Sequence, residues 1–102
     1  MANSKAEMIA VENVNHPGKA RLVAAAMYAP MKRAILKVLP VKPPGMTLAE
    51  LGERLLAHLP EDLFPQGARA GWWAKTVQLD LEAKGVIERE NTTPLRLHKR
   101  SR

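Results

Sequence analysis

The run ARAGWWAKTVQLDLEAKGVIERENTTPLRLHK, Ala68 to Lys99, constrains the fold more than any other part of the chain. Its first half predicts a helix over about Arg69–Lys84. Trp73, Val77 and Leu81 recur at i, i+4 and i+8 on one face, flanked by Ala70, Ala74 and Gln78. Gly85 ends this run, since glycine takes the left-handed position after a helix without a Cβ penalty. Val86–Glu90 and Leu95–Lys99 then predict two strands about a turn at Asn91 to Pro94. The second strand alternates apolar and polar residues with a period of two. Three-helix domains finished by a β-hairpin have this shape.

Upstream, prolines punctuate the chain. Residues 1–15 are polar and weakly patterned and read as a mobile tail, closed by His16-Pro17-Gly18. The division expected is an N-terminal tail over 1–18, one domain over 19–99 and a basic C-terminal tail over 100–102. The alanine-rich segment from Lys19 to Leu39 favours helix, but Pro30 in a helix interior would lose a backbone hydrogen bond. The first main helix is therefore expected to start between Ala26 and Pro30, because proline is tolerated in a first turn. Met31, Ala34, Ile35, Val38 and Leu39 then form its core stripe.

PVKPPG, Pro40 to Gly45, stops that helix. Thr47 and Glu50 have capping-box spacing at the start of a second one, whose stripe is Leu48, Leu51, Leu55, Leu56 and Leu59. The loop Pro60 to Gly67 is expected to tuck Leu63 and Phe64 into the core.

This order, with GMTLAEL (Gly45–Leu51) opening the second helix and LEAKGVIERE (Leu81–Glu90) joining helix to hairpin, resembles winged helix-turn-helix domains. The resemblance covers roughly Tyr28 to Lys99. It implies an α+β, mainly α fold: a three-helix core plus a C-terminal β-hairpin wing. The run FPQGARAGWWAKTVQLDLEAKGVIER, Phe64 to Arg89, also resembles a small bacterial family of undefined biochemical role.

Winged helices that bind DNA place the third helix in the major groove and the wing on the backbone or minor groove. The resemblance thus implies Arg69, Trp72, Lys75, Thr76 and Leu79 on the solvent side of the third helix. On the wing it implies Arg89, Arg96, Lys99 and Arg100. Two features depart from a DNA reader. Asp80 and Glu82 lie in the helix meant to meet phosphates, and Leu79 is apolar.

Charge points to the same class of partner. The net charge is +6, and no acidic residue lies between Glu12 and Glu50, a window holding Lys19, Arg21, Lys32, Arg33, Lys37 and Lys42. None follows Glu90 either, where Arg96, Lys99, Arg100 and Arg102 lie. Two basic arms around a balanced centre suit an anionic partner such as DNA. They also keep a small domain soluble.

Trp72 and Trp73 are adjacent, so they face different ways on a helix. Trp73 belongs to the core stripe. Trp72 either seals the core near Phe64 or stands exposed as a contact for a protein partner or a nucleotide base. Leu79 joins Trp72 as a candidate partner contact, and Leu22, Val23 and Met27 are candidates for a contact between two copies.

Other chemistry has little support. There is no cysteine, and His16, His58 and His98 lack the spacing of metal ligands. No nucleophile–base arrangement is visible, so no catalytic residue, cofactor or metal is expected and the chain does not read as an enzyme. No apolar run approaches the ~18 residues of a membrane span, and the N-terminus lacks a signal-peptide pattern. A cytoplasmic, DNA-binding winged-helix protein is the expectation, of the kind that acts as a small transcriptional regulator. The alternative is a winged-helix module for protein–protein interaction without nucleic acid.

Overall fold

The computed structural model describes residues 7–100. Residues 1–6 of the expected tail, and Ser101 and Arg102 of the basic C-terminal segment, lie outside the described residues. Two strands, β1 (Met8–Glu12) and β2 (Ala20–Ala24), form a hairpin that passes directly into α1 (Ala25–Val38). The two-residue strand β3 (Met46–Thr47) leads into α2 (Leu48–Leu55), which tightens into a 3-10 turn at Leu56–His58. A second 3-10 turn, Pro65–Gly67, precedes α3 (Ala70–Ala83), β4 (Ile87–Glu90) and β5 (Arg96–Lys99). The result is an α+β arrangement with three helices and two small antiparallel sheets, one of order β1-β2 and one of order β3-β5-β4.

Local chemistry sets the helix ends. Thr47 Oγ1 accepts the Glu50 N–H at 3.2 Å, and Glu50 Oε1 accepts the Thr47 N–H at 3.0 Å. That reciprocal box satisfies two donors that a helix start otherwise leaves unpaired. At the far end of α3, Val86 donates to the Leu81 carbonyl at 2.9 Å and Gly85 to the Glu82 carbonyl at 3.1 Å. With Gly85 at φ +74°, this is a Schellman close, and it turns the chain into β4.

The core is built from the predicted stripes. Met31, Ala34 and Ile35 from α1, with Leu39 at its C-terminal cap, meet Leu51 and Leu55 from α2 and Trp73, Val77 and Leu81 from α3, all buried. Phe64 is buried and Leu63 packs against this cluster, so the long loop is anchored by its apolar pair. Ile87 and Leu97 close the core from the sheet side. Of the α2 stripe, Leu48 and Leu56 remain exposed, because the helix presents only a narrow face to its neighbours.

Two features differ from the sequence reading. The stretch taken as a tail carries β1, in register with β2 through Ile9↔Val23 and Val11↔Arg21. Val11 and Val23 are buried, so this short hairpin is a layer of the core, packed on α3 and α1. Its alternation is only two residues deep on each strand, and its stability comes from distant helices that a local pattern does not show. Pro30 also lies inside α1, five residues beyond its start. Its ring forfeits the bond to the Ala26 carbonyl, a cost of about 3 kcal/mol in an isolated helix. Burial of Tyr28, Pro30 and Met31 on the same turn offsets that cost.

Candidate functional site

The two acidic residues of α3 face inward. Asp80 is fully buried and accepts hydrogen bonds from the Tyr28 hydroxyl, from the Glu12 backbone N–H at 2.8 Å and from Lys84 Nζ at 3.0 Å. Burial, reinforced by the hydrogen bond and the charge of Asp80, pushes the Tyr28 hydroxyl well above its ordinary pKa, so it stays a donor. Glu82 is nearly buried and is held by the Arg89 guanidinium and by the Gln78 amide at 2.7 Å. The hydrogen bond to Glu82 raises the Arg89 pKa. Neither carboxylate is therefore presented to a partner.

What α3 leaves to solvent is its first half. Trp72 is 49% exposed, which overturns the reading of it as a seal over the core at Phe64. Lys75 is exposed one turn further along. Thr76 and Leu79, expected on the solvent side, are each only 8% exposed. The β1–β2 hairpin lies over that part of the helix, which is the physical reason.

Between hairpin and helix is a hollow of about 480 Å³. Trp72, Lys75, Thr76 and Leu79 line it from α3, and Val11, Lys19 and Arg21 contribute from the hairpin side. His16 and one carboxylate, Glu12, complete its polar rim. The Trp73 ring stands edge-on to Trp72, at 82° and 4.9 Å between centroids, and fixes the exposed indole from behind. The Arg21 guanidinium lies 5.2 Å from the Trp72 ring centroid, in cation–π range. The structure thus brings together four of the residues singled out on α3. Val11, Lys19 and Arg21 were missed as site residues; the basic run after Glu12 was the one signal for Lys19 and Arg21, and Val11 had none.

Arg69 is exposed at the N-terminal boundary of α3, in the left-handed conformation at φ +64°, and does not line the hollow. The wing is less free than its composition suggests. Arg89 is tied to Glu82. Arg96 Nη1 donates to the Gly45 carbonyl at 2.9 Å, and Lys99 Nζ to the Leu36 carbonyl at 2.9 Å. Arg100 is exposed. Of the residues considered for a contact between copies, Val23 is buried in the core, Met27 is half-buried and Leu22 is 63% exposed.

His98 is buried on β5, with Nδ1 at 2.9 Å from the Lys99 carbonyl and Nε2 at 2.9 Å from Glu90 Oε2. Two acceptors facing two ring nitrogens favour the imidazolium, and the His98 pKa is raised, first by the Lys99 carbonyl and then by Glu90. A raised pKa means that the folded state holds the proton more tightly. The stabilisation is complete below the ordinary value of 6.5 and is lost as pH rises through the raised one. The melting temperature of the parent, relative to His98→Gln, is therefore expected to be most favourable below pH 6.5 and to lose that advantage as pH rises above it. A difference that stays flat with pH would remove the charged imidazole from the account.

Among the described residues no group of three or more His, Cys, Asp or Glu is placed to hold a metal ion. No helix among them is long and apolar enough to cross a membrane.

Fold and site together define a small α+β domain with a basic hollow, walled by one aromatic ring, between a hairpin and a helix. A family model described as a family of unknown function (DUF6958) matches residues 8–97, and the chain belongs to that family. That match includes β1, in keeping with its place in the core. No curated protein and no solved structure matches the chain.

Proposed function

We propose that this chain is a winged-helix protein that binds DNA, with its contact centred on the exposed half of α3 and the adjoining hairpin. The fold part of this reading rests on connectivity. The order α1, β3, α2, α3, β4, β5, with β5 between β3 and β4, is the helix and strand order of a winged helix. The functional part rests on one observation above the others. Asp80 and Glu82 turn inward and are paired, while Trp72 and Lys75 face solvent beside Arg21 and Lys19. The acidic character that counted against α3 as a DNA contact is thereby removed from its surface. Cations then supply salt-dependent attraction to phosphates, and the indole supplies an apolar anchor.

The test is DNA retention as a function of salt. Binding is expected at about 50 mM salt and should weaken steeply as salt rises. The triple variant Lys19→Ala/Arg21→Ala/Lys75→Ala should flatten the dependence by up to about three phosphate contacts. Absence of retention of either duplex or single-stranded DNA at the lowest salt sinks the proposal.

A second reading, a protein-interaction module, has its own observation. On the outer face of the hairpin, Met8 and Leu22 are 52% and 63% exposed and lie on the side away from the core with Ala10. An oligomer that Leu22→Asp dissolves, in a chain that ignores DNA, would favour it.

A further inference from the structure

We infer that the hollow between the β1–β2 hairpin and α3 accepts a single unpaired nucleotide, its base against Trp72 and its phosphate among Lys19, Arg21 and Lys75. The inference rests on the nucleic-acid reading above and names the form of nucleic acid that the site takes. Four observations carry it.

First, the hollow has a volume of about 480 Å³, within the range of small-ligand pockets and far too confined for a duplex. Second, it combines an apolar floor, Val11 and Leu79, with a cationic rim, which matches a molecule that is flat and apolar at one end and anionic at the other. Third, Trp72 is held in place by the edge-on Trp73 ring, so little side-chain freedom is lost when a base packs on it. Fourth, the middle of α3 is covered by the hairpin, with Thr76 and Leu79 each 8% exposed, so this helix does not offer the long bare face that a major groove requires.

Arg21 has a defined part in this. Its guanidinium stands 5.2 Å from the indole centroid on an exposed side chain, a loose cover. An incoming base takes its place over the ring, and the guanidinium moves to the phosphate. Glu12 is the one carboxylate on the rim and disfavours a second phosphate, so a monophosphate linkage suits the site better than a polyphosphate. The same chemistry is presented by a free mononucleotide and by an unpaired residue within a strand.

The experiment measures binding at about 50 mM salt of three probes: a nucleoside monophosphate, a single-stranded 12-mer and a duplex of the same sequence. Quenching of Trp72 fluorescence and anisotropy of labelled DNA are the readouts. The single strand is expected to bind more tightly than the duplex. Trp72→Ala should weaken it about tenfold or more, as loss of one stacked base does. Quenching by the monophosphate should disappear in the same variant. Trp72→Phe should restore part of the binding, and Lys75→Glu, an exposed-surface change, keeps the test open if Trp72→Ala fails to fold.

Monophosphate binding without strand binding supports the hollow and identifies a free nucleotide as its ligand, while the DNA reading fails. Duplex binding equal to or tighter than single-strand binding, and indifferent to Trp72→Ala, overturns this inference and leaves the DNA reading standing. No binding of any probe overturns both.

Discussion

Alanine at Asp80 is expected to destabilise the chain by about 3–5 kcal/mol, the cost of breaking a buried charged network by removing one partner. Three donors converge on this carboxylate: the Tyr28 hydroxyl from α1, the Glu12 N–H from β1 and Lys84 Nζ from the end of α3. With the acceptor gone, the buried Tyr28 hydroxyl is left without its partner, at about 1–3 kcal/mol, and the part-buried Glu12 N–H loses its own at a smaller cost. Since a domain of this size is stable by only about 5–15 kcal/mol, the loss takes a large share of the total. The melting temperature should fall by roughly 12 °C or more, by the usual scaling for about 100 residues. Asp80→Asn keeps an acceptor and should cost less, and Tyr28→Phe, which leaves Asp80 two of its donors, less again. A melting temperature for Asp80→Ala within a few degrees of the parent would show that the carboxylate does not anchor the hairpin.

The second large effect is expected at Gly45. A Cβ built there would stand 2.0 Å from the Leu97 carbonyl oxygen and 2.5 Å from its carbon, and these are backbone atoms of β5 that cannot rotate away. Gly45 also has φ +93°, which a residue with a side chain adopts only under strain. Gly45→Ala must therefore push β3 away from β5, where Met46 pairs with Leu97, and disturb the bond from Arg96 to the Gly45 carbonyl. Strain alone is worth about 1–3 kcal/mol, and the displaced strand pairing adds to it. The expected total is about 3 kcal/mol or more, read from chemical denaturation. Gly18→Ala is the control: φ is +87°, but nothing lies within 4 Å of the added carbon. It should show the conformational cost alone. Equal losses at the two positions would mean that the approach to Leu97 carries no energy.

How much of this was legible in the sequence depends on how far each contact reaches along the chain. The Thr47–Glu50 box spans three residues and the Gly85 close spans five, so both could be read directly. The stripes through Met31, Leu51 and Trp73 repeat over several turns and identified the core of each helix. The hairpin β1–β2 was not legible, because Ile9 and Val11 gain their burial from α1 and α3, and the bond from Glu12 to Asp80 crosses 68 positions. The same blind spot misplaced Thr76 and Leu79. The resemblance put them on the solvent side of α3 and gave no sign that another layer of the chain covers that face. Asp80 and Glu82 looked like surface charges for the related reason that their partners Tyr28, Arg89 and Lys84 are joined to them only by folding, Lys84 excepted. Within the site, Lys75 and Trp72 were named from α3, Trp72 with its exposure left open, whereas Lys19 and Arg21 were visible only as members of a basic run.

The long reach of the Glu12–Asp80 bond also bears on the order in which the chain assembles. The β4–β5 hairpin closes locally, and the Arg96 bond to the Gly45 carbonyl closes a loop of 51 positions, whereas docking β1 on α3 closes the longest, 68 positions. The hairpin should thus be the last part to settle and the first to leave. Truncations at Val11 or Asp80 are then expected to speed unfolding and leave the refolding rate nearly unchanged.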